Sequence, residues 1–204
     1  MRINKKKFIY LISPSKINTN FYKQLSLVLK SDKVSFFQMR LKKYSFKEKF
    51  LIGKKIKKIC RRYDVKFLVN DDPVLTKKLD ADGCHLGQKD MDLSKAKAII
   101  GNKIIGVTCH NSVRLAKNAL KYQVSYLAFG AFYQSKTKKV KYRVKTKILT
   151  EVKKFTKVPI VAIGGINSKN YKNLLLNKAN FLAISGYIWN NKKYKPLDAI
   201  MRLI

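Results

Sequence analysis

Two hydrophobic rhythms alternate along this chain. Short runs of β-branched and aromatic residues fall at 8–13, 34–40, 66–70, 82–86, 103–108, 125–130, 158–163 and 181–185, and each predicts a strand. Between them lie amphipathic, lysine-studded stretches at 18–30, 45–63, 72–79, 92–100, 111–121, 144–156, 167–177 and 195–203, which predict helices. Helix-start residues support several of these, with Asp92 opening the fourth, Asn111 the fifth and Asn167-Ser168 the seventh. Gly101, just before a strand, reads as a helix C-cap. Eight βα units in 204 residues match the lower end of the size range for a (β/α)8 TIM barrel. An open doubly wound sheet rarely needs so many regular units. No linker or low-complexity segment divides the chain, so the expectation is one barrel domain over 1–204.

Composition changes this picture little. The chain is 46% hydrophobic and 28% charged, enough to bury one sizeable core. No apolar run has the length of a membrane span, and the apolar stretch after the basic N-terminus is too short for a signal peptide, so it reads as the first strand. The formal charge of +35 usually points to nucleic acid. Here lysine is spread along the whole length, arginine numbers only seven, and no basic-aromatic or zinc-finger spacing occurs. Loose attraction to polyanions is expected, but no dedicated nucleic-acid or membrane partner. Cys60, Cys84 and Cys109 are widely spaced without a CxxC, the pattern of a reduced, cytoplasmic chain with neither disulfides nor structural zinc. Cys109 and His110 are adjacent, and neighbours on a strand point to opposite faces, which argues against a thiolate pair. Oligomeric state leaves no signature in the sequence.

Carboxylates are scarce, which makes their distribution informative. Of eleven acidic residues, six fall in one window: Asp71, Asp72, Asp80, Asp82, Asp90 and Asp92. In a βα-repeat protein the ends of successive strands are where sites are built. Asp71 and Asp90 follow two neighbouring predicted strands and suit Mg²⁺, which takes one or two carboxylates and completes its sphere with water and phosphate oxygens. Others in the window are read as helix caps.

Further candidates lie at other strand ends. Alternation puts Gln38, Arg40 and Lys42 on one face, with Met39 and Leu41 on the other. Arg40 can grip a phosphate with two parallel donors, and Lys42 supplies a point charge. Strand six runs into Ser135-Lys136-Thr137-Lys138, a loop with phosphate-binding chemistry. Strand seven ends in Gly164-Gly165, and strand eight in Ile184-Ser185 before Gly186. A phosphate site after strands seven and eight is frequent in such barrels. The glycines beside strand ends, including Gly83, Gly106 and Gly130, are read as places where backbone approaches a ligand or takes a positive φ.

The order of these motifs is similar to that of the thiamine-phosphate synthase family, which includes thiazole tautomerase relatives. The similarity runs from Gln38 to Ile188 and rests on Gln38-x-Arg40-x-Lys42, Asn70-Asp71 and Ala81-Asp82-Gly83. It continues through His85-Leu86-Gly87-Gln88 to Asp90, Gly106-Val107-Thr108-Cys109-His110, Ser135-x-Thr137-Lys138, Ala162 to Ile166, and Ile184-Ser185.

The resemblance implies a transferase that couples hydroxymethylpyrimidine diphosphate to a thiazole phosphate, giving thiamine phosphate and pyrophosphate. It implies Mg²⁺ on Asp71 and Asp90. Gln38, Arg40, Lys42, Asn70, Thr108 and Lys138 would surround the pyrimidine diphosphate, with Arg40, Thr108 and Lys138 carrying catalysis. Ser135, Lys136, Thr137, Gly165, Ile184 and Ser185 would bind the thiazole phosphate. His85, His110 and Gln88 would orient groups without acting as nucleophiles. Leu41 stands where the family has an acidic residue, on the face pointing away from the site, and Asp72, where a basic residue is frequent, is expected to cap a helix. Two rival readings are a metal-free thiazole tautomerase and a non-catalytic phosphate- or polyanion-binding barrel.

Overall fold

A computed structural model describes residues 7–134 and 143–203. The strands are β1 (Ile9–Ile12), β2 (Val34–Met39), β3 (Lys66–Asn70), β4 (Gly83–Leu86), β5 (Ile104–His110), β6 (Tyr126–Gly130), β7 (Ile160–Ile163) and β8 (Phe181–Ile184). They form a closed, all-parallel barrel in sequence order, with β1 pairing β8 through Ile9↔Leu182 and Leu11↔Ile184. The helices are α1 (Phe21–Lys30), α2 (Phe46–Arg62), α3 (Pro73–Leu79), α4 (Leu93–Ile100), α5 (Val113–Leu120), α6 (Lys147–Lys153), α7 (Tyr171–Leu176), α8 (Gly186–Trp189) and α9 (Pro196–Met201). The expected (β/α)8 architecture is the observed one.

Strand alternation sorts the apolar residues into two layers. Ile9, Leu11, Phe37, Met39, Phe67, Val69, Cys84 and Val107 point outward and are buried beneath the helices. Tyr10, Ile12, Leu68, Tyr126, Ala128, Val161 and Ala183 point inward and fill the barrel. The barrel is therefore packed below, and a site has room only at its mouth. All three cysteines are free and buried. Burial pushes the Cys84 and Cys109 thiols up to about 12, so neither is a nucleophile at neutral pH.

Helix ends follow local chemistry, and some expectations need correcting. Ser45 and Glu48 form a reciprocal capping box on α2. Asp92 caps α4 through Ser94 N at 2.8 Å, and Gly101 ends that helix at φ 61°, both as expected. The residue capping α5 is Ser112, not Asn111, with its hydroxyl accepting from Leu115 N. The seventh helix starts at Tyr171 instead of 167, because Asn167 accepts from Lys169 N while Asn170 accepts from Asn167 N. Those side chains satisfy the backbone in a turn and delay the helix. The sixth helix is also shorter than expected, and α8 is an extra turn between β8 and the final helix.

Candidate active site

The six-carboxylate window separates into three groups in space. Asp72 caps α3, its Oδ1 accepting from Leu75 N at 2.8 Å with Pro73 next in the chain, which matches the capping expectation. Asp92 caps α4. Asp80 and Asp82 lie at the end of the barrel where strands begin: Asp80 pairs with Lys57 and Lys103, and Asp82 accepts from Phe67 N at 2.8 Å. Only Asp71 and Asp90 meet at the mouth.

Asp71 directly follows β3 in the left-handed region, at φ 65°. Its N–H donates to His85 O at 2.8 Å, which fixes the β3 and β4 ends together, and its Oδ2 lies 2.8 Å from Lys42 Nζ. Asp90 curls back on its own loop, with Oδ2 accepting from Gly87 N at 2.6 Å. The two carboxyls face one another closely enough for each to shift the other's titration. Burial and the neighbouring Asp71 raise Asp90 above its ordinary value. Burial pushes Asp71 the same way, but hydrogen bonds from Lys42 and Asp90 outweigh it and the net shift is down. Asp71 is therefore the stronger acid of the two.

Two crowded carboxyls fit a hard divalent cation, which relieves their repulsion. Among the described residues no group of three or more metal-capable side chains exists, so a cage built wholly from protein is absent there. The donor set suits Mg²⁺, which keeps water and substrate phosphate in its remaining positions.

Beside this pair, inward-facing side chains form a polar floor. Gln38, at the end of β2, is buried and donates through Nε2 to Tyr10 Oη at 3.0 Å. Tyr10 Oη lies 2.7 Å from Tyr126 Oη. His85 contacts Tyr126 Oη through Nδ1 at 2.9 Å and Thr108 Oγ1 through Nε2 at 2.8 Å. Burial lowers the imidazole pKa to about 4, with nearby Asp71 opposing and Arg40 reinforcing the shift, so His85 is neutral at physiological pH. Arg40 sits just past β2, its backbone N–H donating to Ser13 Oγ at 2.9 Å. Asn70 ends β3 in register with His85. Gln88 Nε2 donates to the Thr108 carbonyl at 2.5 Å and braces the end of β5, where His110 holds φ 52°. Leu41 is buried among the helices, on the face away from the site, as alternation predicted.

Across the mouth, Gly165 and Ser185 follow β7 and β8. Ser185 Oγ donates to Ser13 O at 3.1 Å, and Trp189 Nε1 to Ile12 O at 2.7 Å, which ties α8 to β1. Ile184 points outward into the sheet–helix core, so only its backbone reaches this side. Ser135, Lys136, Thr137 and Lys138 lie outside the described residues. The glycines need correction. Gly83 and Gly130 abut the next strand's carbonyl at Ile104 and Ile163, and Gly106 abuts the Tyr126 ring, so these three are packing glycines and offer no backbone to a ligand. Gly164 and Gly165 do take positive φ, at 106° and 63°, beneath residues 131–134 of the β6 loop.

Tyr10 and Tyr126 are the site residues that sequence reading passed over. Both sit within apolar strand runs, and only their inward parity, shared with Gln38, His85 and Thr108, marks them.

Comparison with known proteins identifies the family. The family model described as thiamine monophosphate synthase matches residues 9–188. A thiamine-phosphate synthase from Pelagibacter ubique (strain HTCC1062) is 68% identical, with both chains covered in full. Another from Erythrobacter litoralis (strain HTCC2594) is 36% identical over 96% of this chain and 94% of its own. The solved thiamine phosphate pyrophosphorylase from Pyrococcus furiosus superposes with a TM-score of 0.85 at 28% identity, covering 97% of this chain and 94% of that one. With a model match over most of its length and a full-length relative this similar, the chain belongs to the thiamine monophosphate synthase family and is a transferase of that type.

Proposed function

We propose that this chain couples hydroxymethylpyrimidine diphosphate to a thiazole phosphate, releasing pyrophosphate and thiamine phosphate, with Mg²⁺ held by Asp71 and Asp90. The observation that carries the reading is the facing Asp71–Asp90 carboxyl pair, with Lys42 bound to Asp71, at the mouth of an otherwise packed barrel.

In the reaction, the bond between the pyrimidine methylene carbon and its diphosphate oxygen breaks, and its electron pair leaves with pyrophosphate. The thiazole nitrogen lone pair then forms the new C–N bond. The leaving group gathers negative charge, so catalysis calls for cationic groups placed in advance. Bound Mg²⁺ supplies charge neutralisation of the diphosphate. Lys42 and Arg40 lie on the same side of the mouth and add donors to it, with Lys42 held in place by Asp71. Asn70, in register with His85, lines the edge between the diphosphate and the floor. Gln38 and Thr108 present polar atoms upward from the floor to the pyrimidine. The side of the mouth formed by Gly165, Ser185 and α8 takes the thiazole phosphate, where barrels of this kind often bind phosphate. Ser135, Lys136, Thr137 and Lys138 complete that side in this reading.

A tautomerase needs no diphosphate site, and the Asp71–Asp90–Lys42 group has no task in it. The deciding assay supplies purified protein with both substrates and Mg²⁺. Pyrophosphate release matched one to one by thiamine phosphate, and abolished by EDTA, is expected. Metal-independent thiazole isomerisation without pyrophosphate release would overturn the reading.

A further inference from the structure

Five side chains from five strands join into one line across the barrel floor. Gln38 on β2 meets Tyr10 on β1, Tyr10 meets Tyr126 on β6, Tyr126 meets His85 on β4, and His85 meets Thr108 on β5. The separations are 3.0, 2.7, 2.9 and 2.8 Å in that order. Tyr10 and Tyr126 are almost wholly buried, at 1% and 2% exposure, and among the described residues neither phenol has a further hydrogen-bond partner. Gly106 makes the line possible, because a Cβ there would fall 1.8 Å from Cζ of Tyr126. The Tyr126 ring also stacks on His85, with centroids 5.7 Å apart and planes 13° from parallel.

Proton counting gives the line a direction. A phenol has one proton to donate. In the orientation where the Gln38 amide donates to Tyr10, Tyr10 directs its own proton to Tyr126. Tyr126 then has only His85 Nδ1 to receive its proton. A proton on Nδ1 would face the one on Tyr126, so the neutral ring carries its hydrogen on Nε2 and donates it to Thr108 Oγ1. The Thr108 hydroxyl proton is left over, on the inner face near the top of β5, with no other hydrogen-bond acceptor for it among the described residues.

We propose that Tyr10 and Tyr126 are positioning residues whose hydrogen bonds lock His85 as the Nε2–H tautomer and thereby turn the Thr108 hydroxyl into a donor aimed at the ligand. If the line ran the other way, Thr108 would donate inward and offer the ligand only lone pairs. The direction is thus a specificity device. The floor favours a ring that presents a lone-pair nitrogen or oxygen to Thr108 over one presenting N–H, which leaves the hydroxyl proton without an acceptor. The catalytic consequence rests on the function proposed above, whereas the tautomer does not.

The test begins with ¹⁵N-histidine-labelled protein without ligand. His85 and His110 are the only histidines, so long-range ¹⁵N–¹H correlation resolves both rings. Protonated Nε2 with bare Nδ1 at His85 is expected near neutral pH, and the opposite tautomer would overturn the proposal. Tyr126→Phe keeps the ring and removes the donor. It should mix the two tautomers of His85 and lower kcat for thiamine phosphate formation about tenfold, with KM changing by less than about twofold. Tyr10→Phe keeps the Tyr126–His85 bond but removes the bias, so it should give a smaller tautomer change and serves if Tyr126→Phe does not fold. An unchanged His85 spectrum in the folded variant would overturn the positioning role. Absence of thiamine phosphate from wild-type protein would defeat the function reading and leave the tautomer result standing.

Discussion

The two ends of the barrel use the same residue, aspartate, in opposite ways. Where the strands begin, Asp80 and Asp82 each meet lysine or backbone N–H partners. Where the strands finish, Asp71 and Asp90 are pressed together, and burial with the neighbouring Asp71 raises Asp90. A carboxylate satisfied by the protein itself contributes to the fold. A facing pair at the mouth, on the reading proposed above, gains a further partner when a cation binds. This division follows the general rule for these barrels, with stability at the bottom face and chemistry at the top.

Substitutions can sharpen or break this contrast. The largest expected effect is at the mouth: Asp90→Asn should lower kcat about a hundredfold, with an unchanged or slightly higher denaturation midpoint because crowding is relieved. Normal turnover in this variant would dissolve the distinction. Lys42→Ala removes the cation on Asp71, and the KM for pyrimidine diphosphate should rise about tenfold in steady-state assays. At the bottom, Asp82→Ala leaves the Phe67 N–H without its acceptor and should cost about 1–3 kcal/mol in urea unfolding, with kcat unaffected.

The smallest effect belongs to Asp80. Hydrogen bonds from Lys103 and Lys57 hold its carboxyl at about 2, against an ordinary 3.8. Its stabilisation is complete above the unfolded value of 3.8 and disappears as pH falls through about 2. Asp80 is 76% exposed, so solvent and salt screening limit the contribution to less than about 1 kcal/mol. Comparing unfolding of wild type and Asp80→Ala between pH 5 and pH 2 should show the difference closing at the acid end.

Much of this contrast was legible in the sequence, for physical reasons. Strand-end position brought Asp71 and Asp90 to one end of the barrel, helix-start chemistry identified Asp72 as a cap, and alternation placed Leu41 on the face away from the mouth. Other features depend on contacts between distant segments. The sequence window groups Asp80 and Asp82 with Asp71, although the βα repeat sends them to the opposite face. Tyr10 and Tyr126 read as ordinary apolar strand residues, since nothing local shows that their hydroxyls, 116 residues apart, will meet. Gly106 looked suited to ligand approach, but its missing side chain admits the Tyr126 ring. The delayed α7 came from two asparagines bonding backbone N–H groups within their own turn, which suits a turn as well as a helix start.

The most direct test of the account is a Mg²⁺ titration of the initial rate in wild type and Asp71→Asn, beside their unfolding curves. The account predicts saturable Mg²⁺ activation in wild type and its loss in Asp71→Asn, with the fold intact. An identical Mg²⁺ curve and rate in Asp71→Asn would contradict the claim that the crowded carboxyl pair at the mouth is the metal site.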